Sequence, residues 1–289
     1  MIPPRTGGVH AGGHPQSSGV EEAVPAVLFG FSSEPVVDLG SLSPPPVYSE
    51  CLARLQFDGR PPVSAGVFVG RLEASGEGGL VDIAMLNLVL EALKGDPDLV
   101  LGCNVSPHTV ADASSWSAMI KCLERAGSAA SRLVLEITEG LPLDEIPAAG
   151  IRLKAARTLG CRIAIDDFGA GASNLPRLFR VEAVWDIVKI DGSCFGRFLN
   201  DRFVVNVLRP TFELASCLAP FVVVTGIETQ HHLNAARAVG AQYGQGWHFP
   251  HSQHQKFVRP EKTFAIRIAS YLREKAGWPE RIADSRGLA

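Results

Sequence analysis

No stretch of the 289-residue sequence approaches the roughly 20 consecutive apolar residues that a membrane-spanning helix needs. The N-terminus also lacks the apolar centre of a secretory signal. The chain is therefore expected in the cytoplasm and not on a membrane. Its six cysteines (Cys51, Cys103, Cys122, Cys161, Cys194 and Cys217) form no CxxC pair and have no histidine at zinc-ligand spacing. This argues against a zinc site and fits reduced thiols, several of them in apolar strands as small core residues. An excess of one charge is missing too. A formal net charge of −3 argues against binding DNA through bulk electrostatics, although cations gathered in one pocket could still hold a small anionic ligand. Finally, no apolar run leads into a GxGxxG or Walker A loop, which removes the usual phosphate cradles of an open α/β sheet.

What is present is an ordinary globular composition, 46% hydrophobic and 20% charged, enough to bury a sizeable core. Residues 1–22 are rich in Gly, Pro, His and Ser and read as a disordered leader. Residues 23–280 read as a single domain and 281–289 as a flexible tail. Two short apolar stretches flanking Ser32 and Ser33 predict a hairpin between Ala26 and Leu39. Three prolines in SLSPPPVY exclude helix there, and the Gly- and Pro-containing stretch from Gln56 to Gly79 predicts mostly loop, with a strand at Val67 to Val69. Beyond it, strand and helix alternate every 30 residues or so, about the size of a βα unit. Helices are predicted over Val81–Lys94, Trp116–Ala126, Leu143–Leu159, Arg202–Ser216, Thr229–Val239 and Lys262–Ala276.

The stretch RIAIDDFGAGASNL, Arg162 to Leu175, is a short apolar run that ends in two adjacent carboxylates, Asp166 and Asp167. Taken alone, the pair could be a helix cap and a turn residue. Other apolar runs end in the same way, however, at Asn104, Glu136, Lys189, Thr225 and Gln245. In a (β/α)8 barrel the C-terminal ends of the strands converge on one mouth. An open doubly wound sheet would have to crowd all these polar ends into one crevice, so the barrel is the expected fold. Together with Glu50, such a mouth is rich in oxygen ligands and suits Mg²⁺ or Mn²⁺ better than zinc. Its carboxylates could not all remain ionised without cations between them. Two ions about 3.5–4 Å apart would polarise a phosphodiester and acidify an attacking water. Lys189 would then orient that water, or act only as a charge-balancing partner.

The ordered motifs SECLAR (Ser49–Arg54), NVSP, LEITE, DDFGAGASNL, DIVKID, TGIET and QGW resemble those of the EAL domain, a family of barrel proteins that hydrolyse or sense cyclic di-GMP. The resemblance runs from about Glu34 to Pro250. It implies that Glu50, Asn104, Glu136 and Asp166 are ligands of one metal, and that Asp166 and Asp167 contribute to a second. It further implies that Lys189 contacts the nucleophilic water, supported by Gln245, that Arg54 grips a phosphate and that Leu52 touches a base. Glu139 would anchor the loop from Phe168 to Leu175, which in the family links the metal site to a dimer interface. A homodimer and protein partners remain open.

One departure from the family pattern stands out. Where the family usually has a glutamate that completes the second-metal site, this chain has Thr225, a hydroxyl that brings no negative charge. Smaller departures are Cys51 for the signature alanine and Ala172 for a loop aromatic. His248, His251 and His254 lie near the last strand, but Pro250 prevents a shared helical face and surface histidines are the expectation. Three readings follow: a cyclic di-GMP-binding protein with lost or much reduced phosphodiesterase activity, an active phosphodiesterase yielding linear pGpG, or a protein-interaction scaffold.

Overall fold

The structure, a computed structural model, describes residues 27–41, 45–57, 61–169, 178, 180–192, 201–250, 255–261 and 264–268, with the side chains of 201–205 left out. In chain order the strands are β1 (Val27–Asp38), β2 (Pro46–Phe57), β3 (Val63–Ser64), β4 (Leu101–Val105), β5 (Leu133–Ile137), β6 (Arg162–Phe168), β7 (Ile187–Ile190), β8 (Phe221–Val224), β9 (Tyr243–Gln245) and β10 (Gln255–Val258). The helices are α1 (Ala65–Ala74), α2 (Gly78–Gly95), α3 (Pro107–Ala111), α4 (Ala113–Ala126), α5 (Ala149–Thr158), α6 (Asp201–Ser216) and α7 (Gln230–Ala238).

The order β1-β9-β8-β7-β6-β5-β4-β2 closes on itself through β1–β2 pairing, giving an eight-stranded barrel with β3 and β10 as additions. Seven strands are mutually parallel, and β1 enters antiparallel to both neighbours, β2 and β9. The fold is thus the expected (β/α)8 type with an inverted first strand.

The strands read as continuous apolar runs because both of their faces are buried. Side chains alternate across a strand. One set meets the helices in the large outer core, whereas the inward set forms a small second cluster of Val36, Tyr48, Val134, Ala164, Ile187 and Val223. Two residues beyond five of these come Glu50, Glu136, Asp166, Lys189 and Thr225. Each of these five strands therefore sends one side chain into the barrel floor and a polar one into the layer above it.

Three local expectations are corrected. Val27–Asp38 is one unbroken strand, and its hairpin partner is Pro46–Phe57, in register from Val27↔Phe57 to Val36↔Tyr48 with a one-residue shift before Val37↔Pro46. Ser32 and Ser33 stay extended because β1 is hydrogen-bonded to β2 on one side and to β9 and β10 on the other. The stretch expected to be loop with a strand at Val67–Val69 holds helix α1 instead. Phe68 and Leu72, four residues apart, are both buried, and this tertiary contact overrides the poor helix propensity of Gly66 and Gly70. The helix expected over Leu143–Leu159 is shorter: a single 3₁₀ turn at Leu143–Glu145 precedes α5. Elsewhere α2, α4 and α7 lie where expected. Thr229 caps α7 by accepting a bond from the His232 amide. Asp112 caps α4 by accepting from the Ser115 amide at 2.7 Å. Of the last predicted helix, residues 264–268 are helical and the remainder lies outside the described residues, as do residues 1–26, Ala172, Cys194, His251 and His254. The other five cysteines are free thiols. Among the described residues no helix is long and apolar enough to cross a membrane.

One buried carboxylate ties the helices to the barrel rim. Asp82 of α2 accepts bonds at a single oxygen, Oδ2, from the Ser106 amide (2.8 Å) and the Thr109 hydroxyl (2.6 Å), which fixes the start of α3. Burial pushes its carboxyl up to about 7, against the lowering effect of those two bonds. A group whose folded pKa is raised contributes stability at low pH that is lost as pH rises through the folded value. The folded state should thus lose stability from Asp82 between about pH 4 and pH 7. Asp82→Ala strands two buried donors and is expected to cost about 2–4 kcal/mol. Asp82→Asn keeps an acceptor oxygen without the charge and should cost under about 1 kcal/mol, with its relative stability improving as pH rises from about 4 to 7. Urea unfolding of the three proteins at pH 5 and pH 8 measures both effects.

Candidate active site

The strand ends meet as the alternation requires. Lys189 of β7 is almost fully buried, 1% exposed, at the centre of an acidic cluster. Its Nζ donates to Glu50 Oε2 of β2 at 2.8 Å, lies 3.0 Å from Asp166 Oδ1 of β6, and pairs with Glu136 Oε2 of β5. Asn104 of β4 donates from Nδ2 to Glu50 Oε1 at 2.7 Å, and Gln245 of β9 donates from Nε2 to Glu50 Oε2, also at 2.7 Å. Six predicted site residues on six strands thus form one connected group. Cross-strand register puts Glu50 beside Gly102 and Asn104 beside Glu136.

Asp167 reaches the same pocket by a different route. Strict alternation would turn it away from Asp166, but the register between β6 and β7 shifts between Ile165 and Phe168. Asp167 there takes φ +51°, a left-handed conformation that aspartate tolerates better than most residues. This bulge lets two consecutive carboxylates line one cavity of about 230 Å³, whose wall also includes Glu34, Glu50, Lys189, Thr225, Glu228, Gln245 and Trp247.

The electrostatics are those of a site short of positive charge. Burial opposes ionisation of Glu50, but the Lys189 ammonium and the hydrogen bonds from Lys189, Gln245 and Asn104 outweigh it and hold its carboxyl below the usual range. At Glu136 burial wins over Lys189, and the carboxylates of Glu50 and Asp166 add to the rise. Asp166 is raised likewise, by burial and by Glu50 against Lys189. Asp167 is an exposed rim residue, yet its carboxyl is pushed up to about 7 by partial loss of water and by the adjacent Asp166 charge. Burial lowers the Lys189 pKa, but Asp166, Glu136 and Glu50 outweigh it and raise it well above the ordinary lysine value. Four carboxylates therefore face one ammonium.

Glu50, Glu136 and Asp166 each offer a ligand oxygen, all within 4.8 Å of one another. In addition, Asn104 Oδ1, Glu136 Oε1 and Gln245 Oε1 are buried acceptors without a donor. Converging hard oxygens with spare lone pairs and excess negative charge fit a Mg²⁺- or Mn²⁺-like cation better than zinc.

Not every predicted residue joins the group. Leu52 and Arg54 are half-buried further along β2, on the same alternate face as Glu50 but beyond the cavity wall. Arg54 Nη1 donates to the Ala53 carbonyl at 3.0 Å, and its guanidinium pKa is lowered by burial. Glu139 follows β5, while most of the loop it was expected to anchor, 170–175, lies outside the described residues. Thr225 lines the cavity, but its hydroxyl is engaged elsewhere. It donates to the Ile190 carbonyl (3.0 Å) and accepts from the Gly192 amide (3.1 Å), bracing the ends of β7 and β8.

Sequence reasoning missed Glu34 and Trp247. Glu34 sits mid-strand, and only the antiparallel entry of β1 places it opposite Glu50. Trp247 is 60% exposed at the cavity wall, and its turn is pinned by Ile227 N–H to the Gln245 carbonyl and His248 N–H to the Ile227 carbonyl.

A closed barrel with an oxygen-rich acidic cluster at the C-terminal ends of its strands defines the class: a (β/α)8 barrel protein. Within that class the chain belongs to the EAL domain family, whose model matches residues 22–252. It is 28% identical over 205 residues to the cyclic di-GMP phosphodiesterase PdeF of Escherichia coli (strain K12), covering 70% of this chain and 27% of that protein. It is 32% identical over 201 residues to the uncharacterised protein y4lL of Sinorhizobium fredii, covering 69% of this chain and 24% of that protein. The chain thus spans about a quarter of the length of these curated relatives. Among solved structures, the EAL enzyme Bd1971 in its cAMP- and cyclic-di-GMP-bound form aligns with a TM-score of 0.67 at 24% identity, over 83% of this chain and 64% of that one. The PaMucR phosphodiesterase in complex with c-di-GMP aligns at 0.64 and 24%, over 77% and 92%.

Proposed function

We propose that this chain is an EAL-type receptor for cyclic di-GMP whose phosphodiesterase activity is lost or strongly reduced. One observation carries the reading: the Thr225 hydroxyl is committed to the backbone of its own rim, where the family resemblance expects a carboxylate. Glu50, Asn104, Glu136 and Asp166 would hold one divalent cation, Mg²⁺ or Mn²⁺, while Asp166 and Asp167 alone supply little for a second. A bound cation would supply Lewis-acid polarisation of a phosphodiester oxygen and acidify a nearby water. Lys189 directs its three N–H groups at Glu50, Glu136 and Asp166, so it would hold and orient that water once a bound cation takes over one of those carboxylates, and Gln245 keeps Glu50 in place. Arg54 would meet a phosphate and Leu52 a base of the ligand.

Two features support the reading over the scaffold. Two of the related proteins, both from Escherichia coli (strain K12), bear the names cyclic di-GMP phosphodiesterase and probable cyclic di-GMP phosphodiesterase. A scaffold also has no physical need for Glu50, Glu136, Asp166 and Lys189 buried together, since such charges are costly unless they serve a ligand. The second reading, an active enzyme, is favoured by the same intact acids and Lys189.

Calorimetric titration with cyclic di-GMP and a hydrolysis assay, each with Mg²⁺ and with Mn²⁺, separate the three. The expected result is measurable binding with turnover at least about 100-fold below a relative that keeps both ion sites, equivalent to about 3 kcal/mol of lost barrier reduction. Full turnover makes the chain an enzyme, and failure to bind the nucleotide leaves the scaffold.

A further inference from the structure

Beneath the acidic cluster, the inward layer that floors the barrel consists of Val36, Tyr48, Val134, Ala164, Ile187 and Val223. Five of these are hydrocarbon, and the sixth carries a phenol. Tyr48 is 2% exposed, and its Oη is a buried group with no hydrogen-bond partner. Leaving a hydroxyl buried and unpaired is unfavourable, so packing alone would favour phenylalanine at this position.

The acceptor nearest in character is Glu136 Oε1. It too is buried without a partner, although the other oxygen of the same carboxylate pairs with Lys189. Both groups border Gly102. The point that a Cβ would occupy there lies 2.2 Å from Glu136 Oε1 and 3.0 Å from Tyr48 Cε2. A donor and an acceptor, each lacking a partner and each beside the same glycine, have the polarity that one buried water bridges.

We propose that Tyr48 is a positioning residue for Glu136: its hydroxyl donates through a single buried water to Glu136 Oε1 and fixes the rotation of that carboxylate. Lys189 holds one oxygen from above and the Tyr48–water pair holds the other from below, so the carboxylate presents a set orientation to a cation at the rim. This inference rests on the reading of Glu136 as a cation ligand and adds to it a support from the barrel floor.

The test is Tyr48→Phe in the full chain, titrated calorimetrically with Mn²⁺ alone, alongside thermal unfolding. Loss of an outer hydrogen-bond partner of a metal ligand weakens metal affinity by roughly 10–100-fold, and a drop in that range is expected with the melting temperature unchanged or raised. A purely structural role would shift melting and leave Mn²⁺ affinity alone, and that outcome overturns the proposal. If the wild-type chain itself binds no Mn²⁺, the metal reading fails and this inference falls with it. Equal affinity in both proteins sinks only the role of Tyr48. A high-resolution crystal structure of the wild type gives an independent check: a water bonded to both oxygens supports the bridge, and a dry contact overturns it.

Discussion

Gly102→Ala is expected to weaken Mn²⁺ binding by about 100-fold, the upper end of what disturbing a ligand's support costs. The reason is geometric. A methyl at position 102 would stand 2.2 Å from Glu136 Oε1 and 3.1 Å from Glu136 Cδ, with the Tyr48 ring at 3.0 Å. A carboxylate at the end of a flexible side chain can usually step aside cheaply. Glu136 has little such freedom: it is 0% exposed and its other oxygen is tied to Lys189. Moving away from the methyl therefore means loosening the ion pair and rotating the ligand oxygens.

The same substitution should have a modest effect on stability. Replacing glycine restricts the unfolded chain and stabilises by about 0.4–1 kcal/mol, while overpacking a full site costs about 1–3 kcal/mol. The net expectation is a destabilisation of about 1–2 kcal/mol, too small to unfold a domain of this size. Mn²⁺ calorimetry together with urea unfolding distinguishes the two effects. Wild-type metal affinity in a folded Gly102→Ala protein would show that Glu136 does not contribute to the cation site.

Gly102 also marks the limit of what the residue string discloses. The polar layer was legible because a parallel barrel strand is apolar on both faces until its C-terminal end, so Asn104, Glu136, Asp166 and Lys189 each interrupt a hydrophobic run. The floor layer was not. Tyr48 precedes Glu50 by two residues at the end of the proline-rich SLSPPPVY, where no pattern marks it as an inward position, and an inward-facing glycine in β4 looks like any other small core residue. Glu34 was hidden for a topological reason, since nothing local announces that β1 runs against its neighbours. Helix α1 was hidden by propensity: Gly66 and Gly70 argue for loop, and only the burial of Phe68 and Leu72 reverses that. Asp167 lines the cavity beside Asp166, but the means, a bulge with a left-handed aspartate, is a register effect that no run of residue types specifies.

Thr225→Glu is expected to raise hydrolysis of cyclic di-GMP by about 10–100-fold or more, because it restores a carboxylate beside Asp166 and Asp167 where a second cation would sit. Each tenfold corresponds to about 1.4 kcal/mol of barrier, well within what a second ion offers by polarising the diester and acidifying water. The structure adds a cost to this gain. The Thr225 hydroxyl is the acceptor for the Gly192 amide, and its loss strands one half-buried donor, worth about 1 kcal/mol. The Ile190 carbonyl keeps its bond from the Thr225 amide, at 3.0 Å, so the brace between β7 and β8 weakens without opening. A further carboxylate also adds repulsion to a rim where Asp167 is already pushed up to about 7 by desolvation and the Asp166 charge. Without metal, the variant should therefore melt below the wild type. Adding Mn²⁺ should reverse the order, because a ligand held only by the folded state stabilises it by mass action. Melting curves with and without Mn²⁺, run beside the hydrolysis assay, follow both effects in one protein. A Thr225→Glu chain that binds nucleotide and gains the metal-dependent stabilisation, yet cleaves no faster, would place the defect elsewhere in the site.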